Sequence, residues 1–188
     1  MQMLRPLAVL LLCMLFFSGC ASSNAWTYSD RDAKSLDADV DLVLKEFTEN
    51  IAGSEAFLTS AKGILVFPAV YRAGLIGGAE YGNGVLRIAG KTMGYYNFAG
   101  LSVGPQIGVQ KTSLLLMFMK EPVLEKFQAS QGFELGIDAN ATVIAVGANA
   151  SLDTTKAGEP ILAFIFGQRG LMAGVTLEGS KFTKRDHQ

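Results

Sequence analysis

Three cations and a group of glycines carry most of the chemical potential of this chain. Lys62 and Arg72 bracket one apolar run, Gly74, Gly77 and Gly78 follow it, and Arg169 comes just before a second glycine-rich segment. Glycine beside a cationic side chain lets backbone N–H groups and a guanidinium approach one phosphate together, so the chemistry implied is recognition of an anionic group. A plainer reading competes with it: Lys62 and Arg72 can be strand-end charges whose stems are buried.

Bond-breaking chemistry has little to work with. The single histidine is His187, beside the C-terminus, and the two cysteines are Cys13 and Cys20, both near the N-terminus. The rest of the chain therefore has no thiol and no well-placed imidazole, which removes disulfides, metal sites and the common nucleophile–base pairs. Glu134 and Asp138 lie four apart in strand-like sequence, and Asp153 and Glu159 flank a loop; all four read as solvated charges. No Gly-Lys-Ser/Thr follows the glycine clusters, and no G-x-G-x-x-G sits between a strand and a helix. A non-enzymatic protein without cofactor or metal is expected.

The elements that must position Lys62 and Arg72 start within residues 61–86. Residues 63–67 form an unbroken apolar run that reads as a strand buried on both faces and stopped by Pro68, which lacks a ladder donor. Further strands are expected at 73–81, 85–89, 91–98, 101–110, 114–119, 139–148, 161–166 and 171–177. Gly82-Asn83-Gly84 reads as a hairpin turn, because Asn-Gly accepts positive φ. Ahead of the strands, Ser29 with Asp32 resembles a capping box for a helix running to about Asn50. Leu36, Val40, Val43, Leu44, Phe47 and Ile51 recur at helical spacing on one face, so the helix should pack on a β-core. Its other face carries Asp37, Asp39, Asp41, Glu46 and Glu49 against Lys45, which opposes contact with an anionic membrane. A short helix over 55–60 and a third opened by Glu121-Pro122 complete the reading, the third with Val123, Leu124 and Phe127 as its apolar side.

Glycine accounts for 21 of 188 residues, well above the usual share of roughly 7%. Spread along strands, these glycines suggest strong curvature. The expected fold is therefore α+β, with N-terminal helices packed on a strongly curved, glycine-rich antiparallel sheet or small β-barrel. With 49% hydrophobic and 18% charged residues the chain can build a real core. Its formal net charge of −1, and the lack of a basic run, argue against nucleic acid as a partner.

The N-terminus has the layout of a secretory signal: Arg5, an apolar run over residues 7–17, then Ser18-Gly19-Cys20. That arrangement resembles a bacterial lipobox, with Phe17 where leucine is commoner, and implies acylation of Cys20. An ordinary signal cleaved nearby, or an uncleaved anchor, is the alternative. Residues 1–19 are thus read as a lipoprotein signal peptide, 20–28 as a lipidated tether containing Trp26, and 29–188 as the domain. Ala21 after the cysteine, rather than aspartate, implies sorting to the outer membrane.

The domain itself resembles the SYLF family. The residues that carry the resemblance are Ala61-Lys62-Gly63, Phe67-Pro68, Arg72-Ala73-Gly74 and Gly77-Gly78. Three later stretches also fit: 103–110, 114–119, and 170–175 running on to Leu177-Glu178-Gly179. The resemblance covers roughly residues 35–184. The resemblance implies lipid binding, phosphoinositide binding in eukaryotic members especially, with Lys62, Arg72, Arg169, Gly74, Gly77 and Gly78 as candidate contacts. Bacteria generally lack phosphoinositides, so an anionic phospholipid or another envelope lipid is the expected partner, and the actin binding of eukaryotic members is not carried over. The expected protein is an outer-membrane-anchored lipoprotein, periplasmic or surface-exposed. The alternative is a structural or interaction lipoprotein, such as a surface antigen, that holds a protein or glycan of the envelope.

Overall fold

The computed structural model describes residues 30–74, 77–103, 108–146, 158–169, 177 and 179–185. Among these residues three helices, α1 (Asp30–Asn50), α2 (Ser54–Ser60) and α3 (Glu121–Ala129), accompany eight strands. The strands are β1 (Gly63–Gly74), β2 (Gly77–Ile88), β3 (Lys91–Val103), β4 (Gly108–Phe118), β5 (Gly132–Glu134), β6 (Thr142–Ala145), β7 (Ile161–Arg169) and β8 (Lys181–Arg185). They form one sheet in the order β5-β8-β3-β2-β1-β4-β7-β6. The sheet curls into a half-barrel, and the α+β class and curvature expected from the glycines are both present. Every neighbouring pair is antiparallel except β6 with β7, which run parallel.

The curl gives the sheet two unlike faces. The inner face gathers Leu65, Phe67, Leu86, Phe98, Leu116 and Phe182, closed at one end by Leu124 and Phe127 of α3. The outer face carries Val66, Val85, Leu115 and Phe164, and these are covered by Val40, Val43 and Phe47 of α1 and Phe57 of α2. Alternation along each strand produces this division, since successive side chains point to opposite faces. Phe164 receives both helices at once, with Phe47 at 5.2 Å and Phe57 at 5.4 Å between ring centroids.

Three expectations need correction. β1 does not stop at Pro68; it continues to Gly74, with its register shifting between Val66 and Ala69 against β2 and between Phe67 and Val70 against β4. The proline sits in that bulge, where a missing donor breaks no ladder, and its carbonyl accepts a bond from Ser113 Oγ at 3.1 Å. Gly82-Asn83-Gly84 is no turn but the middle of β2, which runs without interruption to Ile88. The hairpin lies instead at Ala89-Gly90, with φ of 49° and 75°, the paired positive values of a type I′ turn. The acidic side of α1 also makes ion pairs within the fold, since Asp37 and Asp41 both hold Arg87. Asp138 is likewise engaged, by Lys126 at 3.4 Å and by the Glu134 backbone N–H at 2.9 Å.

The expected apolar faces of α1 and α3 are as read from the sequence: Val40, Val43, Phe47, Ile51, Leu124 and Phe127 are all buried. Cys20, the tether, the Ser29 cap and His187 lie outside the described residues, as does the strand expected at 171–177 apart from Leu177.

Candidate functional site

The candidate site is a cleft of about 750 Å³ between α1, α2 and the β2–β3 hairpin. Its position follows from how α1 lies on the sheet. Phe47 and Ile51 anchor the C-terminal turns of the helix in the core, while the preceding turns are held at β2 and β3 by polar contacts. Arg87 Nη2 lies 3.0 Å from both Asp37 Oδ1 and Asp41 Oδ1, carboxylates one helical turn apart. The same Asp37 carboxylate accepts bonds from Thr92 Oγ1 and Tyr95 Oη, each at 2.8 Å. Between these two attachments the helix bridges a gap, and that gap is the cleft.

Its walls are amphipathic. Leu44 from α1, Leu58 from α2, Ile64 from β1 and Ile88 from β2 supply apolar surface, and Lys45, Lys62 and Arg87 supply cations against a single lining carboxylate, Asp41. Asp41 is already shared with Arg87. Among the described residues Lys45 pairs with Glu49 alone, at 3.7 Å with both side chains well exposed, a pair worth little in water. Lys62 is exposed and makes no ion pair among the described residues. Two ammonium groups are thus available to a ligand whose apolar part rests on the aliphatic wall. The volume falls within the roughly 300–1,000 Å³ usual for small-molecule pockets. At the mouth, Arg87 Nη1 donates to the Gly90 carbonyl at 3.4 Å, tying the hairpin to the same guanidinium that holds α1. Arg87 Nε is buried there with no hydrogen-bond partner.

The sequence-predicted cations do not converge. Lys62 precedes β1 and lines the cleft, whereas Arg72 lies near the far end of that strand, roughly 30 Å away at about 3.3 Å per residue. Arg72 is only 5% exposed, and its Nη2 lies 2.5 Å from Glu80 Oε1, which is equally buried. Glu80 faces it in register from β2, and buried Gln110 faces it from β4. Burial pushes the Glu80 carboxyl above its ordinary value, while the Arg72 charge and hydrogen bond pull it down. Gly74, Gly77 and Gly78 close the same end of the β1–β2 pair, with Gly74 opposite Gly78. Arg169 ends β7 opposite Lys111, on the opposite side of β1 from β2. Among the described residues, no three His, Cys, Asp or Glu side chains are grouped so as to hold a metal ion.

Lys45, Asp41 and Arg87 were not legible as site residues, because the cleft joins segments some forty residues apart. A trace was present, however: Asp37 and Asp41 at i, i+4 place two carboxylates together on one helical face, an arrangement that calls for a cation.

Comparison with known proteins bears on this geometry. Residues 99–188 match the Ysc84 family model, described as Las17-binding protein actin regulator. The SH3 domain-containing YSC84-like protein 1 of Homo sapiens and that of Mus musculus are each 27% identical over 156 residues, covering 76% of this chain and 45% of the relative. The Xenopus laevis protein of the same name is 27% identical over 155 residues. The chain spans less than half the length of these curated relatives. It is similar to the YSC84-like proteins, and its match to the Ysc84 family model lies in residues 99–188.

Proposed function

We propose that this protein is an outer-membrane lipoprotein, held through acylated Cys20, whose SYLF-like domain binds an anionic phospholipid or a similar envelope lipid without chemical turnover. The observation that carries the reading is the cleft between α1, α2 and the hairpin, where Lys45 and Lys62 stand over Leu44, Leu58, Ile64 and Ile88. An anionic headgroup fits the two ammonium groups, and an acyl chain fits the aliphatic wall beneath them. Of the sequence-predicted contacts, Lys62 belongs to this site. Arg72 does not reach it, its charge being committed to Glu80 inside the sheet.

The test is sedimentation of the chain from Ala21 onward, lacking the acyl anchor, with anionic and with neutral liposomes. Each lysine beside an anionic surface is worth about 1 kcal/mol, so Lys45→Ala with Lys62→Ala should weaken binding to anionic vesicles roughly 30-fold. Equal binding to neutral vesicles, or binding unchanged in the double variant, would refute the reading.

A further inference from the structure

The helices cover only part of the outer sheet face, and the uncovered part is graded in polarity along the strands. Nearest the strand ends, one row across β3, β2, β1 and β4 reads Leu101, Ala79, Ala73, Val109. Leu101 is 79% exposed and Val109 68%. The next row, extended onto β8, reads Lys181, Ala99, Tyr81, Tyr71, Lys111. Behind it, towards the helices, come Thr183, Asn97, Asn83 and Ala69. Each step is two residues, or about 7 Å. The surface therefore passes from purely aliphatic, through a cross-strand tyrosine pair flanked by lysines, to amides within about 14 Å.

We propose that this face docks flat-end-first on an anionic phospholipid bilayer, with Leu101 and Val109 in the acyl boundary, Tyr71 and Tyr81 at the headgroups, and Lys111 and Lys181 on the lipid phosphates. The order of the rows fits a bilayer better than a protein, because a water–hydrocarbon boundary imposes this sequence of aliphatic, amphipathic aromatic and cationic layers. The tyrosine orientation agrees. Tyr81 Oη donates to Asn83 Oδ1 at 2.9 Å, so the hydroxyl points away from the aliphatic row while the ring covers the space between. The charges agree as well: these three rows contain two lysines and no carboxylate on β8, β3, β2, β1 or β4. The depth required, one row, matches the roughly 5–10 Å reached by interfacial segments. The proposal rests on the lipid-binding reading only for the class of partner, since the surface and the cleft share no residue.

The full chain, carrying Trp26→Phe, is reconstituted in vesicles of phosphatidylglycerol and phosphatidylethanolamine with brominated acyl chains. A tryptophan reporter is placed by Leu101→Trp, and a control by Ile137→Trp, a site 76% exposed and outside this face. The expected result is severalfold stronger quenching and a blue shift at position 101, both lost with Lys111→Glu and Lys181→Glu. Equal quenching at the two positions overturns the proposal, as does a reporter at 101 that is shielded without vesicles through association of the chain with itself. Failure here with Lys45 and Lys62 still required for liposome binding condemns the docking face alone. Quenching at 101 that survives Lys45→Ala with Lys62→Ala upholds the face, and liposome binding unchanged in that variant condemns the cleft alone.

Discussion

The Phe67 ring occupies the space that a side chain on Gly84 would need. A Cβ at position 84 would lie 2.5 Å from Phe67 Cδ1 and 2.6 Å from the Val66 carbonyl oxygen, and Phe67 in turn packs on Phe98 and Phe182 at 5.7 Å. Gly84→Ala should therefore destabilise the fold by about 1–3 kcal/mol, as overpacking does. Gly158→Ala, with open space around it, should be close to neutral. Urea midpoints of the two variants check this, and equal midpoints would refute it.

The Arg72–Glu80 pair makes a sharper prediction, because both groups are almost fully buried. Glu80→Ala leaves a buried guanidinium without its carboxylate and should cost about 3–5 kcal/mol, while Arg72→Met combined with Glu80→Leu should recover most of that loss. The pH dependence has a defined sign. Desolvation raises the Glu80 carboxyl in the folded state, so its contribution to stability is complete below the ordinary value of 4.5 and is withdrawn as pH rises through the folded value. Glu80→Gln should flatten that part of the stability profile in urea titrations run at several pH values.

Asp138 has the opposite sign. The Glu134 backbone N–H, and after it Lys126, hold its carboxyl below the ordinary value of 3.8. Its contribution is present above 3.8 and disappears as pH falls through the lower folded value. In acid titrations followed by circular dichroism, Asp138→Asn should remove this acid-sensitive increment. Persistence of the full slope in the variant would show that other carboxylates supply it.

Ala89 adopts φ of 49°, the only non-glycine residue with positive φ among the described residues. Left-handed backbone costs a β-carbon roughly 1–2 kcal/mol, and Asn tolerates it better in a type I′ turn. Ala89→Asn should stabilise the hairpin by about 0.5–1 kcal/mol, read as a rise in thermal midpoint. An unchanged or lower midpoint would mean that the turn's contacts with Arg87 outweigh the backbone term.

What could be read in advance was periodic. The aliphatic runs at 63–67, 114–119 and 161–166 announced the central strands, and the 3.6-residue spacing of Val40, Val43 and Phe47 announced the covering helix. The errors share one cause, residues with two physical uses. Gly82-Asn83-Gly84 has the composition of a turn, yet its glycines serve close approach: a Cβ at Gly82 would meet the Ala69 carbonyl oxygen at 2.9 Å. Pro68 has the look of a terminator, yet a bulge accommodates it. Asp37 and Asp41 look like solvated charges until Arg87, distant in sequence, arrives beside them. Local pattern cannot separate such alternatives, since a partner some fifty residues away decides between them.

The sheet's margins have their own consequence. β1 and β2 at its centre contain 12 residues each, whereas the marginal strands β5 and β6 contain 3 and 4. Unpaired edge groups template further strands, and short edges offer few of them. A protein crowded onto a two-dimensional surface meets its own copies at high effective concentration, where a long open edge would seed filaments. Among the described residues, these truncated margins leave few unpaired backbone groups with which one copy could template another.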